Sequence, residues 1–364
     1  MNDFKAEPAE LQTEMLAAVQ RVIASGWYVL GPEVQAFEQR WAEDCQLPRA
    51  IGVGNGMDAI ELILRGLNIG PGDEVITTPM TAFASVLAIL RAGAVPVLAD
   101  IDPDTALLSR ASVERCLTPR TRAVLLVHLY GQVRDMAEWQ ILARDKGFAL
   151  VEDCAQSHRA TLGGVRAGGF GVAGAYSFYP TKNLGALGDG GAVVTRDMAL
   201  ADRVARLRNY GQSERYHHPE IGMNSRLDEM QAAILSVRLN WLAGYTERRQ
   251  QIAQRYRAEL KQPAIRLLAA PQETAAHAYH LFVVCSAHRD ALVAHLKAAG
   301  VQALLHYPVP MHHQQTCLDM RRDPLGLPAS EQHALQCLSL PCHPQLDDAQ
   351  LDQVIAAVNS FRAI

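Results

Sequence analysis

SFYPTKNLGALGDGGAVVT, residues 177–195, is the most informative stretch of this chain because it places Lys182 between two apolar segments. We predict strands over Ala173–Phe178 and Gly191–Thr195, joined by a glycine-rich turn that contains this lysine. A lysine between buried strands is partly removed from water, which lowers its pKa and lets the amine act as a nucleophile or a base. Most lysines are solvated surface charges, and that interpretation stays open for Lys182 taken alone.

The segment from residue 49 to residue 195 alternates short apolar runs with stretches of helical periodicity. The predicted strands are Arg49–Val53, Glu74–Thr78, Val95–Ala99, Arg122–His128, Phe148–Glu152, Ala173–Phe178 and Gly191–Thr195. The predicted helices between them are Met57–Leu67, Ala82–Ala92 and Met136–Lys146. This alternation predicts an α/β fold with a large, seven-stranded, mostly parallel sheet.

The C-terminal third has a different pattern of apolar runs and helical stretches, which predicts a smaller α/β domain. Long helices are predicted before it, over Ser225–Leu242 and Ala243–Gln262. The elements predicted within it are helices over Asp290–Ala299 and Asp347–Arg362, a strand over His280–Cys285 and an extended segment over Val301–Val309. We therefore divide the chain into a large domain with an N-terminal arm, residues 1–242, and a small domain, residues 243–364.

Composition limits the classes of function. The 364 residues carry a formal net charge of −4, which argues against broad nucleic-acid binding. No apolar run approaches the ~20 residues that cross a bilayer, and no secretory signal is recognisable, so we expect a cytoplasmic protein without a membrane partner. The seven cysteines are scattered without a paired Cys-x-x-Cys spacing, and we expect no disulfide framework and no metal.

Two further motifs carry chemistry beside Lys182. Asp153 closes the strand before it, and ligands of open α/β sheets bind outside the carboxyl ends of strands. An aspartate there can hold a positive charge, or it can simply cap the next helix. The run Gly52–Ala59, GVGNGMDA, leads from a strand through a glycine-rich turn into a helix, where backbone N–H groups favour an anion. It matches neither the nucleotide P-loop nor the dinucleotide G-x-G-x-x-G pattern.

Together these motifs offer a phosphate-binding turn, an acid for a pyridinium nitrogen and a lysine that can form an imine. Pyridoxal 5′-phosphate (PLP) needs this combination of groups, because the protonated ring accepts electrons from the substrate. No single motif is decisive, but their order along one α/β domain is specific.

The chain resembles the DegT-type family of PLP-dependent nucleotide-sugar aminotransferases, which have the aspartate-aminotransferase-like (type I) fold. The resemblance covers nearly the whole chain and includes SGWYVLGPEV at 25–34, GNGMDAIEL at 54–62, HLYGQ at 128–132, VEDCAQSHRA at 151–160, residues 177–195 and GMNSRLDEMQAAIL at 222–235. Some relatives are dehydratases with histidine in place of the anchoring lysine, so Lys182 favours transamination.

The resemblance also implies roles for individual residues. Lys182 matches the catalytic lysine that carries PLP as a Schiff base. The matching cofactor contacts are Asp153 at the pyridine nitrogen, Gln156 near the ring hydroxyl, Phe83 stacked on the ring, Gly56, Met57 and Ser177 at the phosphate, and Asn224 reaching the phosphate from the neighbouring subunit. That last role implies a homodimer with shared active sites.

The expected substrate is a nucleotide-linked keto sugar, with glutamate as amino donor. Asp58 and the run 209–229 resemble members that aminate carbon 3, which favours a dTDP-3-keto-6-deoxyhexose and a role in deoxyamino-sugar biosynthesis such as that of lipopolysaccharide O-antigen. The expected substrate contacts are Tyr179, His306 and Tyr307 of the same chain, together with Arg215 of the partner subunit. Their polar and aromatic groups suit sugar hydroxyls and diphosphate.

Several alternatives remain open at this stage. The sugar could be a UDP-2-acetamido-3-keto sugar acid or a 4-keto sugar. A non-catalytic PLP-binding regulator is an alternative of another class. A nicotinamide-dependent oxidoreductase lacks support because the dinucleotide pattern is missing. The pairs His217-His218 and His312-His313 could suggest a metal, although adjacent histidines more often face solvent or substrate.

Overall fold

A computed structural model gives the structure of residues 3–363; Met1, Asn2 and Ile364, at the ends of the two predicted domains, lie outside the described residues. The helices are α1 (Ala9–Ser25), α2 (Pro32–Cys45), α3 (Gly56–Gly66), α4 (Phe83–Arg91), α5 (Arg110–Cys116), α6 (Met136–Lys146), α7 (Met198–Leu207), α8 (Glu229–Glu259), α9 (Arg289–Ala298), α10 (Pro328–Gln336) and α11 (Asp348–Ser360). The strands are β1 (Arg49–Val53), β2 (Glu74–Thr77), β3 (Val95–Leu98), β4 (Thr121–Val127), β5 (Ala149–Asp153), β6 (Thr161–Leu162), β7 (Val165–Arg166), β8 (Ala173–Ser177), β9 (Gly191–Thr195), β10 (Arg266–Leu267), β11 (Phe282–Cys285), β12 (Arg321–Arg322) and β13 (Cys337–Leu340).

The large sheet contains all seven predicted strands, which confirms the α/β fold. Its strand order is β1-β9-β8-β5-β4-β2-β3-β12, and β9 is antiparallel to both of its neighbours while the remaining pairs are parallel. The central strands are buried along most of their length, as expected for strands with helices on both faces. The carboxyl ends of β5 and β8 therefore meet at one edge of the sheet, where Asp153 and Ser177 end their strands.

An eighth strand joins the large sheet from the C-terminal part of the chain. Arg321 and Arg322 of β12 pair in parallel with Val97 and Leu98. Two arginines show no apolar pattern, so the sequence did not predict this strand. It is stabilised by the ion pair of Arg321 with Glu74, at 2.6 Å, whose carboxylate is buried.

One predicted helix boundary is wrong. We expected separate helices over Ser225–Leu242 and Ala243–Gln262, but a single helix, α8, runs from Glu229 to Glu259. Gly244 costs only about 1 kcal/mol relative to alanine inside a helix, and the buried Leu242 and Thr246 on either side keep the helix packed. The division of the chain at residues 242 and 243 thus falls within α8, and it remains our proposal. No helix of the described residues is long and apolar enough to span a membrane.

Glu229, the first residue of α8, anchors the start of α2. Its carboxylate accepts hydrogen bonds from the backbone N–H groups of Gly31 at 2.7 Å, Glu33 at 2.8 Å and Val34 at 3.0 Å. The side chain is buried, with 1% of the residue exposed. The start of α2 is therefore tied to the start of α8 through one buried carboxylate.

Replacing Glu229 by alanine should lower the free energy of unfolding by about 3 kcal/mol, because three backbone N–H groups, those of two buried residues and one half-buried residue, lose a charged acceptor. Urea unfolding followed by circular dichroism measures this change. The matched control is Glu247→Ala, at an exposed position of the same helix, which should change stability by less than about 0.5 kcal/mol. Equal effects of the two substitutions would contradict the anchoring role.

Candidate active site

Asp153 lies buried at the carboxyl end of β5, with 6% of the residue exposed. Its Oδ2 accepts a hydrogen bond from the Ser85 hydroxyl at 2.8 Å, and its Oδ1 accepts one from the Ala155 N–H at 3.1 Å. Thr81 shares a further hydrogen bond with Ser85 at 2.8 Å. Because Ser85 is in the first turn of α4, which begins at Phe83, these bonds tie the start of that helix to the acid.

The start of α3 forms a second part of the site. The Asn55 side chain caps this helix by accepting from the Asp58 N–H at 2.8 Å. The first N–H groups of a helix have no partner within the helix and carry its positive dipole end. A Cβ atom at Gly56 would lie 2.6 Å from the Cβ of Ser177, so only glycine allows the helix start to approach β8 this closely. The predicted phosphate contacts Gly56, Met57 and Ser177 are thus brought together.

Lys182 lies in the turn between β8 and β9 and is half-buried. Its backbone N–H donates to the Tyr179 carbonyl at 2.8 Å. Burial lowers the pKa of the Lys182 ammonium, while the nearby charge of Asp153 acts in the opposite direction. The structure therefore brings the two strongest predicted site residues within electrostatic reach of one another.

Gln156 connects this group to the C-terminal part of the chain. Its Oε1 accepts from the Tyr130 N–H at 2.6 Å, and its Nε2 donates to the Tyr307 hydroxyl at 3.4 Å. A Cβ at Gly131, whose φ is +101°, would lie 2.6 Å from the Gln156 carbonyl, which explains the glycine in HLYGQ. Burial raises the pKa of Tyr307 to about 12, and the Asp153 charge acts in the same direction. Tyr307 therefore faces Gln156 and Asp153.

Three buried or half-buried histidines are within electrostatic range of Lys182. Burial lowers the pKa of His158 to about 3 and that of His306 to about 4, and burial also lowers the pKa of His280. The Lys182 charge lowers all three pKa values further. His158 and His280 are site residues that the sequence did not single out, although His158 stands in the quoted EDCAQSH motif.

His158 predicts a sensitivity of the fold to acid. Its pKa is about 3 in the folded chain against 6.5 for an ordinary histidine, so the unfolded chain binds the proton first as the pH falls. The free energy of unfolding should therefore decrease below pH 6.5, by about 1.4 kcal/mol per pH unit from this residue. His158→Phe, which fits the ring cluster of Trp41, Tyr176 and Phe178, should make the pH dependence shallower by about one proton.

Urea unfolding at a series of pH values between 7 and about 4.5 measures that difference. The control is His217→Ala in the exposed loop after α7, which should leave the slope as it is. A slope that is unchanged in His158→Phe would contradict the prediction.

Three of the predicted contacts are exposed side chains, unlike the buried Asp153 and the half-buried Lys182. Tyr179 is 53% exposed beside the lysine turn. Arg215 is exposed in the loop after α7, with its guanidinium 5.0 Å from the centre of the Tyr216 ring. Asn224 is also exposed and forms an isolated bridge with Asn209. Two of these, Arg215 and Asn224, are the residues for which we expect a role in a partner subunit.

Within residues 3–363, two clusters bring together side chains of the kinds that bind metal ions. His312 donates from Nε2 to Glu331 at 3.2 Å, and His313 Nε2 lies 3.7 Å from the same oxygen. The first distance is that of an ordinary hydrogen bond. The buried carboxylate of Glu152 pairs with His128 at 2.8 Å and also accepts backbone N–H groups of Gly168, Phe170 and Gly171. These bonds occupy Glu152, and the absence of a metal role remains a prediction.

The residues present fit PLP. The helix start at Gly56 supplies N–H donors for a phosphate, and the close approach to Ser177 brings a hydroxyl beside them. Asp153 is a buried acid that suits a protonated ring nitrogen. Lys182 has an amine of lowered pKa, as covalent attachment to an aldehyde requires. These features define a PLP enzyme of the aspartate-aminotransferase-like fold.

Comparison with known proteins identifies the family. The model of the DegT/DnrJ/EryC1/StrS aminotransferase family matches residues 9–359, and the chain belongs to this family of PLP-dependent aminotransferases. It is 46% identical over 358 residues to the erythromycin biosynthesis sensory transduction protein EryC1 of Saccharopolyspora erythraea, covering 98% of both chains. It is also 46% identical over 360 residues to a dTDP-3-amino-3,4,6-trideoxy-alpha-D-glucose transaminase of Streptomyces venezuelae, covering 99% of this chain and 95% of the relative.

A solved structure shares the fold closely. The crystal structure of S. venezuelae DesV in complex with a ketimine intermediate superposes with a TM-score of 0.94 at 47% identity, covering 98% of this chain and 96% of DesV. The type I fold predicted from the sequence is therefore confirmed.

Proposed function

We propose that this aminotransferase moves an amino group from glutamate to a nucleotide-linked keto sugar, a dTDP-3-keto-6-deoxyhexose. The observation that carries the chemistry is the half-buried Lys182, whose amine has a lowered pKa beside the buried Asp153. The sugar is supported by the relative from Streptomyces venezuelae, whose name is that of a dTDP-3-amino-sugar transaminase.

Each predicted residue has a distinct task in this proposal. When bound, PLP supplies an electron sink for the substrate. Lys182 would hold the cofactor covalently through its amine, and its free amine would take a proton from the α-carbon of the donor. Asp153 would pair with the ring nitrogen, and Gln156 would lie near the ring hydroxyl. Phe83, at the start of α4, would cover one face of the ring.

The phosphate of the cofactor would be held by the N–H groups of Gly56 and Met57 and by the Ser177 hydroxyl. Tyr179 and His306 would contact the sugar or its diphosphate, and Tyr307 would lie where the sugar meets the ring, because its hydroxyl contacts Gln156. We also propose a cytoplasmic location, which the seven free, buried cysteines support because thiols persist in a reducing compartment.

We further propose a homodimer in which Asn224 and Arg215 complete the partner's site. Support comes from two highly exposed apolar side chains in the same loop as Arg215 and Asn224, Tyr216 at 78% and Ile221 at 89% exposure. A partner subunit that covers this loop would remove their apolar surface from water. Light scattering coupled to gel filtration tests the dimer.

Subunit mixing tests whether Asn224 acts across the interface. Asn224→Ala and Lys182→Ala are each expected to be inactive, but a mixed dimer would contain one site with both native residues. Equal amounts refolded together should recover about a quarter of the wild-type activity, because half of the dimers are mixed and each has one intact site. No recovery would place Asn224 in the site of its own chain and refute sharing.

A panel of keto sugars tests the substrate. The chain should convert a dTDP-3-keto-6-deoxyhexose with a kcat/KM at least about tenfold above a UDP-2-acetamido-3-keto sugar acid or a 4-keto sugar, since specificity reflects differential transition-state binding. Preference for a 4-keto sugar would refute the proposed position of amination.

A non-catalytic regulator is the second candidate, and the name of EryC1 as a sensory transduction protein favours testing it. Glutamate alone separates the two functions. An aminotransferase converts its bound PLP to the amino form, which changes the visible spectrum, whereas a regulator without turnover leaves the spectrum as it is.

A further inference from the structure

The Ser225 hydroxyl bridges the two ends of the turn that leads into α3. It accepts a hydrogen bond from the Gly54 N–H at 2.9 Å and donates one to Asp58 Oδ2 at 2.7 Å. Ser225 and Asp58 are both buried, with 1% and 7% of the residue exposed. The hydroxyl is therefore fixed as donor and acceptor at once, and it joins the turn to a segment 167 residues away in the chain.

The bridge encloses the proposed phosphate contacts. Gly56 and Met57 lie between Gly54 and Asp58 in the chain, so a bond that fixes both ends also fixes the direction of the N–H groups between them. A Cβ at Gly54 would lie 3.2 Å from the Ser225 hydroxyl oxygen, which shows how closely the two segments pack. The turn has little freedom to relax once this hydroxyl is in place.

The charge of Asp58 is unfavourable for a phosphate. An acid two residues from Gly56 repels a second anion, so it does not contribute by attraction. The carboxylate instead turns toward Ser225 and toward Arg91, whose guanidinium nitrogen lies 3.8 Å from Oδ1. The useful property of Asp58 is therefore its ability to accept the Ser225 hydrogen bond.

We propose that Ser225 and Asp58 form a positioning pair that holds the turn at the start of α3 in the conformation that binds the cofactor phosphate. The proposal rests on the phosphate position given under the proposed function, but it does not depend on the sugar or on turnover. The pair also joins the two segments, 54–59 and 209–229, that resemble relatives which aminate carbon 3.

The test compares PLP with pyridoxal, which lacks the phosphate. Full-length chain is depleted of cofactor, and dissociation constants of both compounds are measured by fluorescence. Ser225→Ala should weaken PLP binding about tenfold, which is the loss expected for hydrogen bonds to a charged group, and should leave pyridoxal binding within about twofold. Asp58→Ala gives the same comparison from the other side of the bond.

Two further variants separate positioning from charge. Asp58→Asn keeps an oxygen that accepts from Ser225 and removes the negative charge, so its PLP affinity should equal or exceed that of the wild type. The double variant Asp58→Ala with Ser225→Ala should bind PLP no less tightly than the single variant with the lower PLP affinity. The reason is that each single substitution already removes the one bond that the two residues share. Ser236→Ala in α8, a serine whose hydroxyl has no hydrogen-bond partner among the described residues, is the matched control.

Unchanged PLP affinity in Ser225→Ala overturns the proposal, and so does an equal loss for PLP and pyridoxal, which indicates general disruption. Gly56→Ala tests the phosphate position separately from the positioning pair. Its added Cβ would lie 2.6 Å from Ser177 and would disturb the proposed phosphate contacts directly. If Gly56→Ala weakens PLP and Ser225→Ala does not, only the positioning pair is wrong. If neither does, the phosphate is bound elsewhere.

Discussion

Lys182→Ala should reduce transamination by at least about 10⁴-fold, the upper range for a positioned proton-transfer group, since it also removes the covalent anchor of PLP. The expectation rests on the lowered pKa of this half-buried amine, which lies within electrostatic range of the buried Asp153. Neutral amine is the reactive form, and burial makes it more available near pH 7.

Steady-state rates with glutamate and a keto sugar, together with the visible spectrum of the purified chain, measure the effect. The variant should lose both turnover and the absorption of covalently bound PLP. Lys297→Ala, at an exposed position of α9, is the matched control and should retain both. Survival of either property in Lys182→Ala would remove the basis for the proposed mechanism.

The central sheet was predictable because its strands are short apolar runs that end in turn residues. β12 was not, because an ion pair with the buried Glu74 carboxylate stabilises the half-buried Arg321 in the sheet without any apolar pattern. The break placed at residue 243 failed for the opposite reason, since one glycine weakens a helix by less than packing on both sides of it contributes. The local sequence pattern thus predicts which helices and strands form, whereas contacts between distant residues determine where some of them end and add strands such as β12.

In the candidate active site too, the sequence indicates some residues, while their hydrogen-bond partners are found only in the structure. The sequence singled out Asp153 and Lys182, but not the Ser85 hydroxyl that orients the acid, although Ser85 follows Phe83 by only two residues. The bond between Ser225 and Asp58 spans 167 residues, and nothing in the local pattern of either segment indicates it. Hydrogen-bond partners of this kind, which support a site residue from elsewhere in the chain, can be recognised only in the folded structure.

The second large effect is expected at Asp153. Asp153→Asn keeps the size of the side chain and one of the two acceptor oxygens that serve Ser85 and the Ala155 N–H, but removes the charge that would pair with a protonated ring nitrogen. We expect kcat to fall by about 10³-fold, the loss typical of removing one preorganised electrostatic group from an active site. Ser85→Ala, which removes one hydrogen bond and leaves the charge, should cost only about tenfold.

The same substitution makes a prediction about pH. The Asp153 charge raises the pKa of Lys182, against the lowering that burial causes. Without that charge, the ammonium should lose its proton at lower pH, so the pH dependence of amine modification in the cofactor-free chain should move toward acid in Asp153→Asn. In Ser85→Ala, where the carboxylate remains, the profile should stay near that of the wild type. A shift toward higher pH in Asp153→Asn, or an equal shift in both variants, would contradict the electrostatic link between the acid and the lysine.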